Sequence, residues 1–582
     1  MNSLVGTAAL LVAPGLPFAL GVLWSFPRLR PHIGPIAPWA AIPALLLALF
    51  GKPGETVELS WLLFGAQIGM TPTTQVFLFF TALIWFAAGI HGRGHLSEED
   101  HCERFCAFWL FTLAGNIGLI LALDVALFYT SFALMTFAAY GLIVHDGSHA
   151  ALRAGRVYLV LAVLGEALIL IGLILAARVT DAPLLPLLAD LPEAIAAAPE
   201  RDLIIASLWL GFGVKAGLPL LHFSLPLAYA TAPVPVAAAL AGAMIKAGLL
   251  GWLVTLPLGQ AGLEQWGTIV IATGLVAAFG GALIGVHQRE PRTVLAYSSI
   301  SQMGLATAGV GAWLANPELG PLFAVAITIF ALHHALAKAT LFLGTDMARH
   351  HPPFSTTWLW IGLGIPALAL VGLMPSGLLG KITAKEALAL VDSPGGASGD
   401  LAWWFSMAAV GTTVLMARYL WLLHLEVGQK GRDEVGSAAW RGWLLLTAAT
   451  FVGVFLLPLW GISPSWWGAI GGLFDALWPV ALGLGLVAIG WRWLRPWPIP
   501  PADALVLLTP LPGLAVRAGQ ALGVTGPAIE RLLRHLQALA LDRYRRADHR
   551  IGRASVHLWR RNASLLFALI LALLAAYGLT IV

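Results

Sequence analysis

Lysine is rare in this chain, and its placement indicates proton chemistry. Of seven lysines in 582 residues, five lie inside long apolar runs or at a break in one: Lys215, Lys246, Lys338, Lys381 and Lys385. Arginine lies almost entirely between those runs, with Arg418 as the clear exception. Arginine stays protonated at any accessible pH, whereas a desolvated lysine can release and rebind a proton. Because a charge inside a bilayer is costly, five such lysines indicate a function.

Other titratable side chains fall in the same runs: Glu166, His222, His333, His334 and, beside Lys385, Glu386. His334 and Lys338 are four residues apart, so they share one face of a helix. Groups of these types can exchange protons near neutral pH, and neighbouring charges change one another's proton affinity. For any single residue, a snorkelling or locally paired side chain is an equal explanation. The set as a whole favours an intramembrane proton relay.

The composition is that of a polytopic membrane protein. Hydrophobic residues make up 59% of the chain, charged residues 11%, and mean hydropathy is +0.84. A soluble domain carries roughly a quarter charged residues. Net charge is +4, but the one basic cluster lies beside a predicted span, so we expect no nucleic-acid partner. Two cysteines exclude a disulfide framework or an iron–sulfur core.

A spanning helix needs roughly 20 mostly apolar residues. Such runs occur near 4–24, 33–50, 72–91, 105–123, 125–145, 157–177, 203–222, 233–254, 266–286, 294–314, 320–343, 357–391, 402–424, 440–460, 477–494 and 563–581. The run at 357–391 is too long for one simple span and contains Met374-Pro375-Ser376-Gly377, which indicates a broken helix. We therefore predict an all-α membrane protein with about 16 transmembrane helices.

Basic residues predict the orientation of these spans. They fall in alternate loops, beginning with Arg28 and Arg30, whereas the intervening loops hold little more than Lys52, Arg178 and Arg201. Basic loops face the cytoplasm. Both termini are therefore predicted on the outer, periplasmic side of the cell (inner) membrane. No basic residue precedes the first apolar run, which indicates a retained span rather than a cleaved signal peptide.

Two helix breaks stand beside lysines. Gly217-Leu218-Pro219 follows Lys215, and Pro375-Ser376-Gly377 precedes Lys381. Broken helices at corresponding places in two halves are typical of inverted-repeat transporters, whose sites lie near the bilayer midplane.

The chain divides into five predicted regions: spans one to three in 1–104, a translocation core in 105–424, accessory helices in 425–510, an amphipathic segment in 511–562 and a last span in 563–582. In 511–562, arginines and leucines alternate at near-helical spacing. This pattern favours a lateral helix lying along the membrane surface. A solvated loop attracted by anionic lipid is the alternative.

Six blocks of sequence carry a family resemblance: Lys215–Pro226, Ala232–Val236, Gly242–Gly248, Arg292–Gly304, His334–Leu343 and Gly377–Lys381. In order and spacing they resemble the signature of the antiporter-like subunits of respiratory complex I, over roughly residues 70–420. Mrp-type cation/proton antiporters, membrane-bound hydrogenases and formate hydrogenlyases share that signature. The resemblance implies two inverted five-helix repeats with helices 7 and 12 broken, and a tail similar to the lateral helix of distal members.

The resemblance also implies residue roles. Lys215 matches the lysine that exchanges protons with the input channel, and Lys246 matches the connecting lysine of span eight. His334 with Lys338 matches the central pair, and Lys381 the output residue. His222, His333, Lys385 and Glu386 are further candidates for relay or pairing.

One position departs from the family pattern. The family has a glutamate in span five that pairs with the span-seven lysine, and Ala133 occupies that position here. Loss of the carboxylate leaves Lys215 uncompensated in a low dielectric. Glu166, one helix later, is the only nearby intramembrane carboxylate in the sequence and is the candidate to substitute, because intramembrane acids usually find a partner. The alternative is that nothing replaces the glutamate, and that the protein conducts protons differently from its relatives or in a passive, gated way.

The sequence therefore predicts a proton-translocating or cation/proton-antiporting component of a multi-subunit membrane complex. It carries no redox or hydrolytic site of its own, and no cofactor or metal is expected. The partner is left open: complex I-like, hydrogenase or Mrp-type membrane subunits, or a soluble metalloprotein in inorganic-carbon uptake. Two rival hypotheses are a self-contained solute carrier and a haem protein whose ligands are His222, His333 or His334 and another histidine. Adjacent histidines argue against haem, since only one should point inward.

Overall fold

The computed structural model describes residues 2–63, 65–96, 102–180, 186–350, 355–391, 401–427, 437–463 and 472–490. The predicted amphipathic segment at 511–562 and the predicted last span at 563–582 lie outside these ranges.

Within the described ranges the chain forms twenty α-helices: α1 (Asn2–Leu23), α2 (Arg30–Ile36), α3 (Ile42–Phe50), α4 (Pro72–Leu96), α5 (Cys102–Leu121), α6 (Val125–Ile143), α7 (His149–Arg178), α8 (Leu191–Ala197), α9 (Arg201–Ala216), α10 (Ser224–Thr231), α11 (Val234–Ala239), α12 (Ile245–Thr255), α13 (Glu264–Val286), α14 (Pro291–Ala315), α15 (Gly320–Arg349), α16 (Thr356–Val371), α17 (Pro375–Ala389), α18 (Leu401–Glu426), α19 (Ser437–Val452) and α20 (Leu473–Gly490). A π-helical turn, Leu240–Met244, joins α11 to α12. Short 3₁₀ segments occur at Pro27–Leu29, Ala37–Ala41, Leu188–Asp190, Pro317–Leu319 and Gly453–Trp460.

Thirteen segments of the described chain are long and apolar enough to cross a membrane. Predicted runs 203–222 and 294–314 correspond to α9–α10 and α14, which are not among the thirteen. Helix α9 is only 16 residues long, and α14 is rich in small and polar residues yet buried almost throughout. A polar helix is tolerated at membrane depth when other helices surround it. The total of about 16 spans stays a prediction.

A small β-hairpin departs from the all-α prediction. Strands β1 (Thr56–Leu59) and β2 (Ala66–Gly69) pair antiparallel between α3 and α4. Asp124 ties this hairpin to the start of α6, because its carboxylate accepts from the backbone N–H of Leu127 at 2.8 Å and of Gln67 at 2.7 Å. The first bond is an N-cap, which satisfies an otherwise unpaired helix donor.

Helices α13 and α14 pack backbone against backbone along a glycine seam. A Cβ atom added at Gly274 would lie 2.6 Å from the carbonyl oxygen of Gly304 and 2.6 Å from the backbone nitrogen of Ala308. Small residues permit this close approach, which is how helices associate within lipid. The seam fixes α14, whose other side faces the centre of the candidate site.

Both predicted helix breaks are present. Helix α9 ends at Ala216, and Gly217 adopts a left-handed φ of 90° before α10 begins at Ser224. Helix α16 ends at Val371, and Gly372 adopts a φ of 95° before α17 begins at Pro375. Only glycine reaches this region without steric cost, so the sequence fixes where each helix stops.

Candidate functional site

Lys215 is buried at the end of α9 and does not contact a carboxylate. Its ammonium group donates to the hydroxyl of Tyr158 on α7 at 2.7 Å and lies 4.8 Å from the centre of that ring. The Tyr158 hydroxyl in turn donates to the carbonyl oxygen of Thr136 on α6 at 2.9 Å. Spans five, six and seven are therefore joined by one chain of hydrogen bonds ending on the lysine.

Glu166, the candidate substitute for the missing span-five carboxylate, lies on α7, which packs against the helix of Lys215. Helices α7 and α9 approach closely: a Cβ atom added at Gly165 would lie 3.1 Å from the carbonyl oxygen of Gly211. Glu166 is only 4% exposed, and its charge interacts with that of Lys215. No direct salt bridge joins the two among the described residues. Neither carboxylate oxygen makes a hydrogen bond of good geometry there, although the Thr136 side chain of α6 interacts with the carboxylate. Ala133 is half-buried on α6.

Lys246 is held by the π-helical turn that precedes it. Its ammonium group donates to the carbonyl oxygen of Ala241 at 2.9 Å. A π-turn interrupts the regular helical hydrogen bonds, a feature frequent at functional sites. The same turn packs tightly on α15, since a Cβ atom added at Gly242 would lie 3.0 Å from the Cβ of Ala339. This packing brings Lys246 within electrostatic reach of Lys338.

Lys338 lies at the centre of α15 and is fully buried. Its ammonium group donates to the carbonyl oxygen of Leu295 on α14 at 3.0 Å. The hydroxyl of Ser299 donates to the same oxygen at 3.0 Å. A lysine facing a backbone carbonyl has a partner that fixes its position but carries no charge.

His333 and His334 are both fully buried, which corrects the expectation that only one of them points inward. Helix α15 is surrounded by other helices, so two adjacent faces of it are interior. The ring of His333 lies against Gly380 on α17, where an added Cβ would be 2.9 Å from its Cδ2. His334 stacks on Phe330 with ring centres 6.2 Å apart. None of the four ring nitrogens has a hydrogen-bond partner within the described residues.

The two histidines share Lys246 as an electrostatic neighbour and differ in the second lysine. His334 interacts electrostatically with Lys246 and Lys338, and His333 interacts with Lys381 and Lys246. They therefore lie between the middle lysines and the span-twelve lysine. Sequence spacing alone paired His334 with Lys338 and gave His333 no definite place.

Lys381 lies against the break between α16 and α17. A Cβ atom added at Gly372 would be 2.9 Å from the Lys381 Cδ, so only a glycine leaves space for this side chain. Lys381 is 7% exposed, and its ammonium group has no hydrogen-bond partner in the part of the chain described. One helical turn later, Lys385 forms an ion pair with Asp475 of α20 at 3.6 Å.

The remaining candidates are peripheral. Glu386 is exposed on α17. His222 is half-buried in the α9–α10 break, with Nδ1 3.3 Å from the carbonyl oxygen of Leu218. Asp475 was missed by sequence reasoning because it starts a helix assigned as accessory, and only the packing of α20 brings it to Lys385.

A second buried polar cluster was also missed. His91 of α4 lies between Asp346 of α15, at 2.9 Å from Nε2, and the carbonyl oxygen of Ala439 in α19, at 2.8 Å from Nδ1. His350 lies 3.2 Å from the other carboxylate oxygen of Asp346. The signal available in the sequence was the spacing of eight residues between Lys338 and Asp346, which places both on one face of a helix.

Two arginines have structural partners. Arg349 bonds Glu426 at 2.7 Å and Glu290 at 3.2 Å, joining the ends of three helices. Arg418, the intramembrane exception, donates to the carbonyl oxygen of Gln288 at 3.1 Å just after α13 ends. A cation at a helix C-terminus satisfies free carbonyl groups and complements the helix dipole.

This arrangement defines a class of protein. It is a polytopic helical membrane protein whose interior carries a succession of buried lysine, histidine and glutamate side chains flanked by two broken helices. Among the described residues no three histidine, cysteine, aspartate or glutamate side chains come together as metal ligands. The buried groups are suited to binding and passing protons.

Comparisons with known proteins agree with this class. Residues 122–358 match the transmembrane family described as NADH:quinone oxidoreductase/Mrp antiporter. The chain is 31% identical over 264 residues to a probable K(+)/H(+) antiporter protein of Rhizobium meliloti (strain 1021), covering 45% of this chain and 26% of that protein. It is 27% identical over 309 residues to hydrogenase-4 component B of Escherichia coli (strain K12), covering 51% and 44%.

The fold is similar to a chain in the structure of the Mrp complex from Dietzia sp. DQ12-45-1b. The TM-score is 0.69 at 22% identity, covering 99% of this chain and 63% of that one. Residues 122–358 are therefore similar to the antiporter-like membrane proteins of the complex I and Mrp type. The chain spans about a quarter of the Rhizobium relative and just under half of the Escherichia one.

Proposed function

We propose that this protein is a proton-translocating membrane component of a multi-subunit complex, with its translocation core in residues 105–424. One observation carries the proposal: buried titratable side chains follow one another from α7 to α17 through the interior. Buried charges are costly and are retained where they mark an ion or proton pathway. Cation/proton antiport is the finer form of this function.

The proposed route begins at Lys215 with Glu166 and continues to Lys246. Close packing supports this step, because a Cβ atom added at Gly248 on α12 would lie 2.6 Å from the carbonyl oxygen of Phe212 on α9. The helices that carry the two lysines are therefore in direct contact.

From Lys246 the route passes the central pair, His334 with Lys338, and then His333 to Lys381. The electrostatic interactions between successive members support this order. Because the charge state of each group changes the proton affinity of the next, protons move along such a series in coupled steps. Lys381 is the proposed output group, and Lys385 is a candidate for relay or pairing.

The proposed setting is the cell (inner) membrane, with the basic loops cytoplasmic and both termini outside. The two broken helices α9–α10 and α16–α17 support an arrangement as two inverted five-helix repeats. Antiporter and hydrogenase components are among the relatives, which favours other membrane proteins of such a complex as partners over a soluble metalloprotein. The solute-carrier alternative requires activity without partners.

The first experiment is a mild-detergent pull-down of the tagged protein from its native membrane, with mass spectrometry of what accompanies it. Co-purification of hydrogenase, quinone-reductase or antiporter subunits is expected. Recovery of the chain alone would contradict its membership of a complex. A soluble metalloprotein as the sole partner would instead support the alternative of inorganic-carbon uptake.

The second experiment measures proton movement into vesicles that contain the intact complex, using a pH-sensitive dye. Lys246→Met is expected to abolish most of the flux, and Lys52→Met is the matched control because Lys52 is an exposed loop lysine. Glu166→Gln is expected to lower the flux as well. Unchanged proton coupling in Glu166→Gln would remove Glu166 from the mechanism.

A further inference from the structure

Two side chains on one face of α7 are available to the same lysine. Tyr158, Ala162 and Glu166 follow at four-residue spacing, so they form one stripe along the helix. All three are buried. Lys215, on the neighbouring helix α9, bonds the tyrosine at one end of this stripe and interacts electrostatically with the glutamate at the other.

The hydrogen-bond chain orients the tyrosine hydroxyl. Its hydrogen is donated to the carbonyl oxygen of Thr136, so its lone pairs are left for the ammonium group of Lys215. Thr136 is three residues beyond Ala133 on α6. Span five thus contributes a backbone carbonyl that acts through Tyr158, in place of a carboxylate that would bind the lysine directly.

Among the described residues, this arrangement leaves the carboxylate of Glu166 without an ion pair. Within the described chain its two carboxylate oxygens make no hydrogen bond of good geometry, although the side chain is buried and the Thr136 side chain interacts with it. A buried carboxylate without a partner is costly, and an ammonium group on a flexible four-carbon stem is a suitable partner for it. The other titratable groups facing this region are Tyr129 of α6 and Tyr229 of α10.

We propose that Tyr158 is a positioning residue that holds Lys215 apart from Glu166. Lys215 then has two alternative positions, one on the hydroxyl and one on the carboxylate. The lysine–glutamate pair forms when the ammonium group leaves Tyr158. This inference rests on the proposed function for its role in proton transfer, but the two positions of the lysine are a property of the structure and are tested separately.

The test is a distance measurement by solid-state NMR on the intact complex. Lysine is labelled with ¹⁵N at Nζ, and glutamate and tyrosine carry ¹³C at the side-chain carboxyl and phenol carbons. In the wild-type protein we expect a contact between a lysine Nζ and a tyrosine phenol carbon. The lysine–glutamate contacts should be the same in the wild type and in Glu166→Gln, because Lys215 does not lie on Glu166. A wild-type lysine–glutamate contact that Glu166→Gln abolishes would overturn the proposal without any need for a tyrosine variant.

In Tyr158→Phe, a new lysine–glutamate contact within about 4 Å is expected, and it should vanish in the double variant with Glu166→Gln. Tyr419→Phe is the matched control, since the Tyr419 hydroxyl is buried and donates to the carbonyl oxygen of Leu341 at 2.9 Å. The control should show no new contact. If Tyr158→Phe shows none either, Tyr158 does not position Lys215.

Proton flux in the same samples separates this proposal from the proposed function. Trapping Lys215 on Glu166 is expected to lower the flux about tenfold in Tyr158→Phe, with partial recovery in the double variant. A new contact in a protein that moves no protons would uphold the positioning role and refute proton translocation. A tenfold loss of flux in Tyr158→Phe without the new lysine–glutamate contact would refute the positioning role and leave the proposed function standing.

Discussion

Lys338→Met is the substitution that tests the proposed route most directly. Lys338 is fully buried and interacts electrostatically with Lys246 and His334. Methionine has a similar volume and an unbranched side chain, so it fills the same space. The carbonyl oxygen of Leu295 still accepts a hydrogen bond from the Ser299 hydroxyl, so the substitution leaves no buried acceptor without a donor.

The expected loss of flux follows from the cost of an unassisted charge. Without the amine, a proton passing this point has no group to hold it, and a charge at the bilayer centre costs at least about 3 kcal/mol. Each 1.4 kcal/mol or so is a factor of ten in rate, so the flux should fall roughly a hundredfold. The stability of the fold should change by less than about 1 kcal/mol, because one hydrogen bond is lost and one buried polar group is replaced by an apolar one.

The assay uses vesicles containing the intact complex, with proton uptake followed by a pH-sensitive dye and melting of the purified complex followed in parallel. Lys52→Met serves again as the exposed-lysine control. A Lys338→Met protein that melts like the wild type but retains most of its flux would refute the route through α15. Loss of both folding and flux would show instead that Lys338 is structural.

Three further outcomes are expected. Gly274→Ala should destabilise the protein by about 1–3 kcal/mol, measured by thermal unfolding in detergent. Gly280→Ala is the control, because a methyl group there meets no neighbouring atom. Equal melting temperatures for the two variants would contradict the close packing of α13 against α14. Adding Ala133→Glu to the Glu166→Gln variant should restore the proton flux, because it returns a carboxylate to span five. If the flux is not restored, the two positions are not equivalent. Asp475→Asn should change stability by less than about 1 kcal/mol, because its partnered carboxylate is largely exposed; a larger loss would mean a desolvated pair.

Much of the architecture could be predicted because it depends on local sequence. Span length and hydropathy predicted a helical membrane protein, since a bilayer of fixed thickness demands long apolar runs. The breaks at Gly217-Leu218-Pro219 and Pro375-Ser376-Gly377 could be located because they need residues that tolerate a left-handed backbone or cannot extend a helix. In the structure the left-handed residue of the second break is Gly372, just before Pro375. The β-hairpin at Thr56–Gly69 escaped notice because two short strands in a loop carry little pattern of their own.

By itself the sequence determined that Lys215, Lys246 and Lys338 are buried, because a lysine in the middle of a long apolar run has nowhere else to lie. It did not determine this near the end of a run, where Glu386 is exposed. Only the tertiary structure decided what each of them touches. Lys215 meets Tyr158 from 57 residues away, and Lys385 meets Asp475 through the packing of α20. Such partners depend on which faces of distant helices come together, and small residues such as Gly165 set how closely they approach. Periodicity identifies the buried face of a helix, whereas the neighbour across that face follows from packing alone.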